Sequence, residues 1–295
     1  MPLSIGWILW AVAALAAVAL VVLFCWIQNN LLQVTRLSAP APVEQPLRVV
    51  HLSDLHGKQF GRGNRRLIRM VEGLCPDLVV FTGDLVNDDT DDLEAAVDLL
   101  RRLTAFCPVV YVLGNHEHRY HLEERVLARL QAAGVIALRD SFCTLAVKGS
   151  RLQILGMDEN QGSHEAYRQI RRGEYTYRDS GPLLRQLEAK NGVRLVLSHY
   201  PENFALIGEK SYNRYHFDVM FCGHAHGGQF ILPFFGGVFA PGQGIRPRYY
   251  RGRYGDGPYL VVSRGLGNSG FPLRLFNRPN VVLVTLTPSS SDGNA

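Results

Sequence analysis

Leu78-Val-Val-Phe81-Thr-Gly83-Asp84 is a strand-length apolar run that stops on a glycine and an aspartate, and the chain repeats this device. Arg48-Val-Val-His51 leads to Asp54-Leu-His56, and Val109-Val-Tyr-Val112 leads to Gly114-Asn115-His116-Glu117. Arg194-Leu-Val-Leu197 leads to Ser198-His199, and Asp218-Val-Met-Phe221 to Gly223-His224-Ala-His226. Such runs are too short for helices and too apolar for edge strands, so they read as buried central strands. Between them, Asn64 to Leu74 sets Leu67, Ile68, Val71 and Leu74 on one helical face, and the stretches 93–103 and 122–133 follow the same period. Alternation of strand and helix gives an α/β fold. A second group of strands near 142–147, 152–155, 259–262 and 281–286, with a hairpin-like turn at Lys148-Gly149-Ser150, adds two packed sheets with helices outside.

The first thirty residues are a different material. No charged residue occurs from Ile5 to Ile27, a run long enough as a helix to cross a hydrocarbon core of ~30 Å. Trp7, Trp10 and Trp26, the three tryptophans of the chain, lie at its two ends, where amphipathic rings prefer the headgroup region. A cleaved signal peptide fits less well, because no Lys or Arg precedes the run and Ser38-Ala39-Pro40-Ala41 is a poor cleavage site. Residues 1–30 are therefore expected as a single-pass anchor in the cell (inner) membrane. Arg36 and Arg48, the nearby cations, favour a cytoplasmic catalytic domain, with a translocated domain as the alternative. Prolines between Ser38 and Pro46 predict an extended spacer over residues 31–46. The globular domain then covers 47–287, and a Ser/Asp/Gly/Asn-rich tail over 288–295 is expected to be disordered.

Composition narrows the class without naming a function. With 47% hydrophobic and 19% charged residues, the 295-residue chain is globular rather than disordered. A net charge of +5 suits anionic lipid, phosphorylated substrates or nucleic acid alike. Cys25, Cys75, Cys107, Cys143 and Cys222 show neither a disulfide framework nor a zinc knuckle, and most read as small buried apolar residues.

The chemistry lies in what ends the strands. Loops at the carboxyl ends of strands in an open α/β sheet gather in one crevice, so these segments converge although distant in sequence. They bring two Asp carboxylates, one Asn carbonyl and several imidazoles, a mixed O/N donor set suited to Mn, Fe or Zn rather than Ca. Two such ions ~3.5–4 Å apart activate water and hold both the attacking and leaving oxygens of phosphorus during in-line displacement. Gly83, Gly114 and Gly223 stand where the backbone must turn sharply beside the site.

Asp-x-His, Gly-Asp, Gly-Asn-His-Glu, Ser-His and Gly-His-x-His in this order resemble the calcineurin-like metallophosphoesterases, over about Leu47 to Leu286. The resemblance implies a four-layer αββα sandwich of two mixed sheets and two divalent metal ions, Mn, Zn or Fe. It also implies Asp54, His56, Asp84 and His226 around one metal, and Asp84, Asn115, His199 and His224 around the other, with Asp84 bridging. His116 would be the catalytic histidine that protonates the leaving group or stabilises phosphoryl charge. The other histidines, His51, His118, His121, His164 and His216, have no place in the motif and read as packing or surface residues.

A finer likeness rests on Gly223-His-Ala-His-Gly-Gly-Gln229, Phe239-Ala-Pro-Gly-Gln-Gly244 and Ser263-Arg-Gly-Leu-Gly-Asn-Ser-Gly-Phe-Pro-Leu-Arg-Leu275. These are similar to the membrane-associated YaeI/YkuE-like branch, which includes enzymes that cleave UDP-2,3-diacylglucosamine in lipid A synthesis. That implies hydrolysis of a phosphodiester or pyrophosphate on a lipid-linked substrate, with the bilayer as partner and no nucleic acid. Two stretches bear on this: the apolar Phe230-Ile-Leu-Pro-Phe-Phe-Gly-Gly-Val-Phe239, and Arg246, Arg248, Arg251 and Arg253 interleaved with tyrosines. They read equally as an acyl and headgroup site or as core strands and a solvated face. Arg62, Arg65, Arg66 and Arg69 leave the same choice open. Asp88-Asp-Thr-Asp-Asp92 reads as a solvated loop leading into a helix. A phosphoprotein phosphatase would extend Gly-Asp into Gly-Asp-x-Val-Asp-Arg-Gly, whereas this chain reads Gly83-Asp-Leu-Val-Asn-Asp88. Action on soluble nucleotides, or a non-catalytic membrane scaffold, are the remaining alternatives.

Overall fold

The computed structural model describes residues 5–87, 91–159, 161, 164–268 and 270–289. An apolar helix, α1 (Ile5–Asn30), leads into β1 (Gln33–Ala41), followed by β2 (Leu47–Leu52), α2 (Arg65–Gly73), β3 (Leu78–Thr82), α3 (Asp91–Leu103) and β4 (Val109–Val112). Next come α4 (Asn115–Arg119), α5 (Glu123–Ala132), β5 (Ile136–Leu138), β6 (Ser141–Val147), β7 (Ser150–Gly156), α6 (His164–Arg172), α7 (Gly181–Glu188), β8 (Val193–Leu197) and β9 (Val219–Cys222). Two short hairpins, β10 (Ile231–Leu232) with β11 (Gly236–Gly237) and β12 (Phe239–Ala240) with β13 (Gly244–Ile245), precede β14 (Gly252–Tyr254), β15 (Tyr259–Val262) and β16 (Asn280–Pro288).

The long strands form two six-stranded mixed sheets, ordered β1-β16-β2-β3-β4-β5 and β14-β15-β9-β8-β7-β6. Alternate residues of the buried strands face opposite layers, which is why these strands read as unbroken apolar runs. Leu78, Val80, Val110 and Val112 meet Leu195, Leu197, Val219 and Phe221 between the sheets. Val79, Phe81, Val109 and Tyr111 pack outward with Leu67, Val71, Leu100 and Val126 of the helices. Val196 and Met220 pack on the other outer face with Leu184 and Leu187 of α7. The result is the four-layer αββα sandwich.

Three expectations change. The 31–46 stretch is extended, but residues 33–41 form edge strand β1, parallel to β16, rather than a free spacer. Ala39, Ala41 and Val43 enter the inter-sheet core, and Pro40 is tolerated because an edge strand need not donate on both sides. Second, the ligand-bearing strands do not share one open sheet: β2, β3 and β4 belong to the first and β8 and β9 to the second. Third, of the cysteines only Cys222 is buried, Cys75 is exposed, and all five are free thiols. Pro288 still belongs to β16, and 290–295 of the expected tail lie outside the described residues.

α1 spans about 39 Å at helical rise. Along its apolar length the side chains are exposed, while its C-terminal end is docked on the sandwich. Lys58 Nζ donates to the Asn29 carbonyl, Arg66 to that of Asn30, and Arg278 to those of Leu31 and Leu32 at 3.0 and 2.8 Å. Cations thus meet the carbonyl end of the helix, where its dipole is negative.

Candidate metal centre

Strands β2, β3 and β4 run parallel, as do β8 and β9, and their carboxyl ends meet at the seam between the sheets. All seven residues expected as ligands arrive there. Ligand atoms of Asp54, His56, Asp84 and His226 lie within 4.8 Å of one another, as do those of Asp84, His199 and His224. Asp84 is common to both groups. Asn115 joins the second through its Oδ1, 2.9 Å from His199 Nε2.

The donor atoms point at shared centres. His56 Nε2 and His226 Nε2 are 3.2 Å apart, and His224 Nδ1 is 3.2 Å from His199 Nε2. Asp84 Oδ2 lies 3.5 Å from His56 Nε2 and 3.4 Å from His199 Nε2. Asp54 Oδ2 is buried without a hydrogen-bond partner among the described residues. Imidazole nitrogens converging at 3.2 Å beside an unpartnered buried carboxylate oxygen form a donor set that suits a cation. The Nδ1–H of His199 donates to the Thr82 carbonyl at 2.7 Å, which fixes the ring with Nε2 toward the centre.

Electrostatics agree with that fit. Burial holds His56 down to about 3 against the pull of Asp84. Burial, with His199 beside His224 and with His56 and Arg274 beside His226, holds those rings well below the ordinary value, so all three stand neutral as ligands must. Burial pushes Asp54 up to about 7, His199 opposing. Asp84 meets the same burial but is carried well below the usual range by His199 and His116. Burial would lower His199, yet Asp84 lifts it to about 10, so its proton supplies the positive charge that a metal ion would replace.

Local backbone strain is concentrated here. Asp54, His56, Asp84, His224 and His226 have φ of 52°, 49°, 54°, 62° and 46°, a left-handed region that L residues seldom occupy. Neighbouring loops hold them in it. A Cβ on Gly114 would fall 2.3 Å from the Asp84 amide nitrogen, and one on Gly223 would fall 1.8 Å from Ser53 Oγ. These glycines therefore make room for adjoining ligand loops rather than for the ions. Glu117 ties two loops together: its buried carboxylate accepts N–H bonds from Gly114 (2.8 Å), Asp84 (3.0 Å), Leu85 (2.8 Å) and Val86 (3.3 Å).

A cavity of about 440 Å³ opens on the centre, lined by Asp84, Asn115, His116, His224 and His226. The His116 ring packs edge-on to His56 at 4.4 Å between ring centres, and its backbone N–H donates to Asp84 Oδ1 at 2.8 Å. Arg119, Gln161, Tyr200 and Glu202 also line the cavity, with Phe239 and Phe271 as apolar wall. Burial pushes the Glu202 carboxyl up to about 7. Sequence reasoning assigned Arg119, Gln161, Tyr200 and Glu202 no role, because only the fold carries them to the seam. Of the histidines read as packing or surface residues, His118 is buried between Asp158 Oδ1 (2.6 Å) and Glu123 Oε1 (3.0 Å). His51 is a core residue bonded to Thr82 Oγ1, and His216 is a surface one.

The ambiguous stretches resolve differently. Residues 230–239 are not core strands; Phe234 is fully exposed, and Leu232, Phe235 and Phe239 are partly so. Arg246, Arg248, Arg251 and Arg253 are exposed, stacked over Phe235, Tyr249, Tyr250 and Tyr259, and none lines the cavity. Arg62, Arg65, Arg66 and Arg69 are exposed too, and none lines the cavity. Residues 88–90 and the side chains of Asp91 and Asp92 lie outside the described residues.

Comparison with known proteins adds a family signal. The profile for calcineurin-like phosphoesterases matches residues 47–228. An uncharacterized metallophosphoesterase of Bacillus subtilis, YkuE, is 29% identical over 245 residues, 81% of this chain and 78% of YkuE. Phosphodiesterase YaeI of Escherichia coli is 28% identical over 247 residues, 82% of each chain. A transmembrane protein with metallophosphoesterase domain from Danio rerio is 23% identical over 81% of this chain and 53% of its own length.

Proposed function

The chain belongs to the calcineurin-like phosphoesterases, metal-dependent hydrolases of phosphoric esters, and we propose that it is anchored by α1 and cleaves a phosphodiester or pyrophosphate on a lipid-linked substrate such as UDP-2,3-diacylglucosamine. The observation that carries this reading is the pair of aromatic groups that stand at the cavity wall and at the foot of the helix. Phe239 and Phe271 wall the cavity, Phe271 meets Phe230 edge-on at 5.6 Å, and exposed Phe276 meets Phe24 of α1 at 5.6 Å. A substrate with its headgroup at the seam can keep its acyl chains on this surface at low hydration cost. Lys58, Arg66 and Arg278 at the C-terminal end of α1 join Arg36 and Arg48, which favours the cytoplasmic side of the inner membrane for the domain.

Asp54, His56, Asp84, Asn115, His199, His224 and His226 would hold two divalent cations, which would supply Lewis acidity and water activation for attack on phosphorus. The protein's own part is positional. Asp84, common to both donor groups, sets their spacing, and Thr82 holds His199 in the required tautomer. His116 is the proposed proton donor to the departing oxygen: the water oxygen bonds to phosphorus and releases one proton through the open cavity to solvent, the phosphorus–leaving-group bond breaks, and the proton carried by His116 goes to the leaving oxyanion.

The test uses full-length protein in detergent, loaded with Mn, and follows UMP release from UDP-2,3-diacylglucosamine beside turnover of bis-p-nitrophenyl phosphate. Both activities should disappear in Asp84→Asn. His116→Gln should keep its metal and lose about 10²–10⁴ in rate. Turnover of the nitrophenyl diester without UMP release would discard this lipid substrate and leave a general phosphodiesterase.

A further inference from the structure

The docked end of α1 is wired to the metal centre. Asn29 Oδ1 accepts from Asn268 Nδ2 at 3.0 Å and from the Arg274 backbone N–H at 3.2 Å, while its own Nδ2 is held by the Cys25 carbonyl at 2.8 Å. Asn268 in turn accepts from Arg274 Nε at 2.9 Å. The Arg274 guanidinium is wholly buried and spends its other N–H groups on the carbonyls of Arg264 (2.8 Å), Gly267 and Asn277 (3.3 Å). It is therefore the hub of a segment described over residues 264–268 and 270–277.

That segment grips two of the expected ligands by their backbone. Leu266 and Gly267 donate to the Asp54 carbonyl at 3.2 and 2.6 Å, and Asn277 Nδ2 donates to the His226 carbonyl at 2.7 Å. Both Asp54 and His226 sit at positive φ, conformations that persist only where surroundings impose them. Arg274 Nη2 also lies 3.4 Å from His226 Nδ1, on the ring edge away from the centre.

We infer that the C-terminal turn of α1 is a working part of the metal centre, with Asn29 a positioning residue that acts through Asn268 and Arg274 on Asp54 and His226. The helix is then more than a tether. The inference rests on the reading that Asp54, His56, Asp84 and His226 hold a metal ion.

Full-length protein in detergent tests it, as wild type, Asn29→Ala and Asn29→Asp, by Mn(II) titration and electron paramagnetic resonance. Wild type should bind two Mn(II) and give the spectrum of a coupled pair. Asn29→Ala should bind one of them about 10–100-fold more weakly, the usual loss when a residue supporting a ligand goes, and show the signal of isolated Mn(II). Asn29→Asp keeps the acceptor oxygen and should restore the coupled pair. Retention of the coupled pair by the alanine variant, or its loss in both variants, would overturn the role given to the Asn29 acceptor. A wild type that binds no metal would instead overturn the metal-centre reading and this inference with it.

Discussion

Glu117 offers a sharp test of how the site is held. Its carboxylate sits fully buried under the loops that present Asp84 and Asn115, with two backbone N–H groups on each oxygen. Glu117→Gln conserves shape but turns one oxygen into an NH₂ group, which then faces two donors. Two buried amides lose their acceptor, at about 1–3 kcal/mol each, or about 2–6 kcal/mol together. At roughly 2–4 °C per kcal/mol for a chain of this size, the variant should unfold at least about 4 °C lower. Because the amides of Gly114 and Asp84 flank the expected ligands, its Mn affinity should fall as well. Near-UV circular dichroism melts with and without Mn, beside equilibrium metal titration, measure both effects. A glutamine variant that melts within about 1 °C of wild type and binds two Mn ions normally would refute the reasoning.

Two further outcomes follow from the same structure. Burial alone would lower His118, but Asp158 and Glu123 raise it above its ordinary value, while His118 and Arg139 overcome burial to lower Asp158. Stability from His118 is therefore complete below its unfolded value near 6.5 and fades as pH rises through the raised folded value; the Asp158 share is present above its unfolded value near 3.8 and fades as pH falls through the lowered one. Melting temperatures from pH 6 to 9 should accordingly show the gap between wild type and His118→Gln shrinking with rising pH, and a constant gap would contradict the pairing. At the cavity wall, burying a phenylalanine against an acyl chain is worth about 1.5–3 kcal/mol. Phe271→Ser should therefore raise KM for an acylated diester at least about tenfold relative to bis-p-nitrophenyl phosphate, and equal change on both substrates would remove Phe271 from acyl contact.

The sequence alone determined the apolar strands, the residues that end them and the long N-terminal helix. These are local patterns: a strand buried on both faces must be apolar throughout, and a donor residue placed just after a strand will sit at that strand's end. It could not assign the strands to sheets, since Leu78–Thr82 and Val219–Cys222 look alike although one lies in each sheet. Nor could it recognise β1, whose small Ala39 and Ala41 and whose Pro40 read as a spacer until β16 offers an edge. Only the tertiary structure decided that Glu117 holds the Asp84 loop, that His118 is buried between two acids, and that Asn29 reaches Arg274 across 245 positions of chain. The physical reason is that a buried polar group is defined by the partners that satisfy it, and those partners are adjacent in space rather than in sequence.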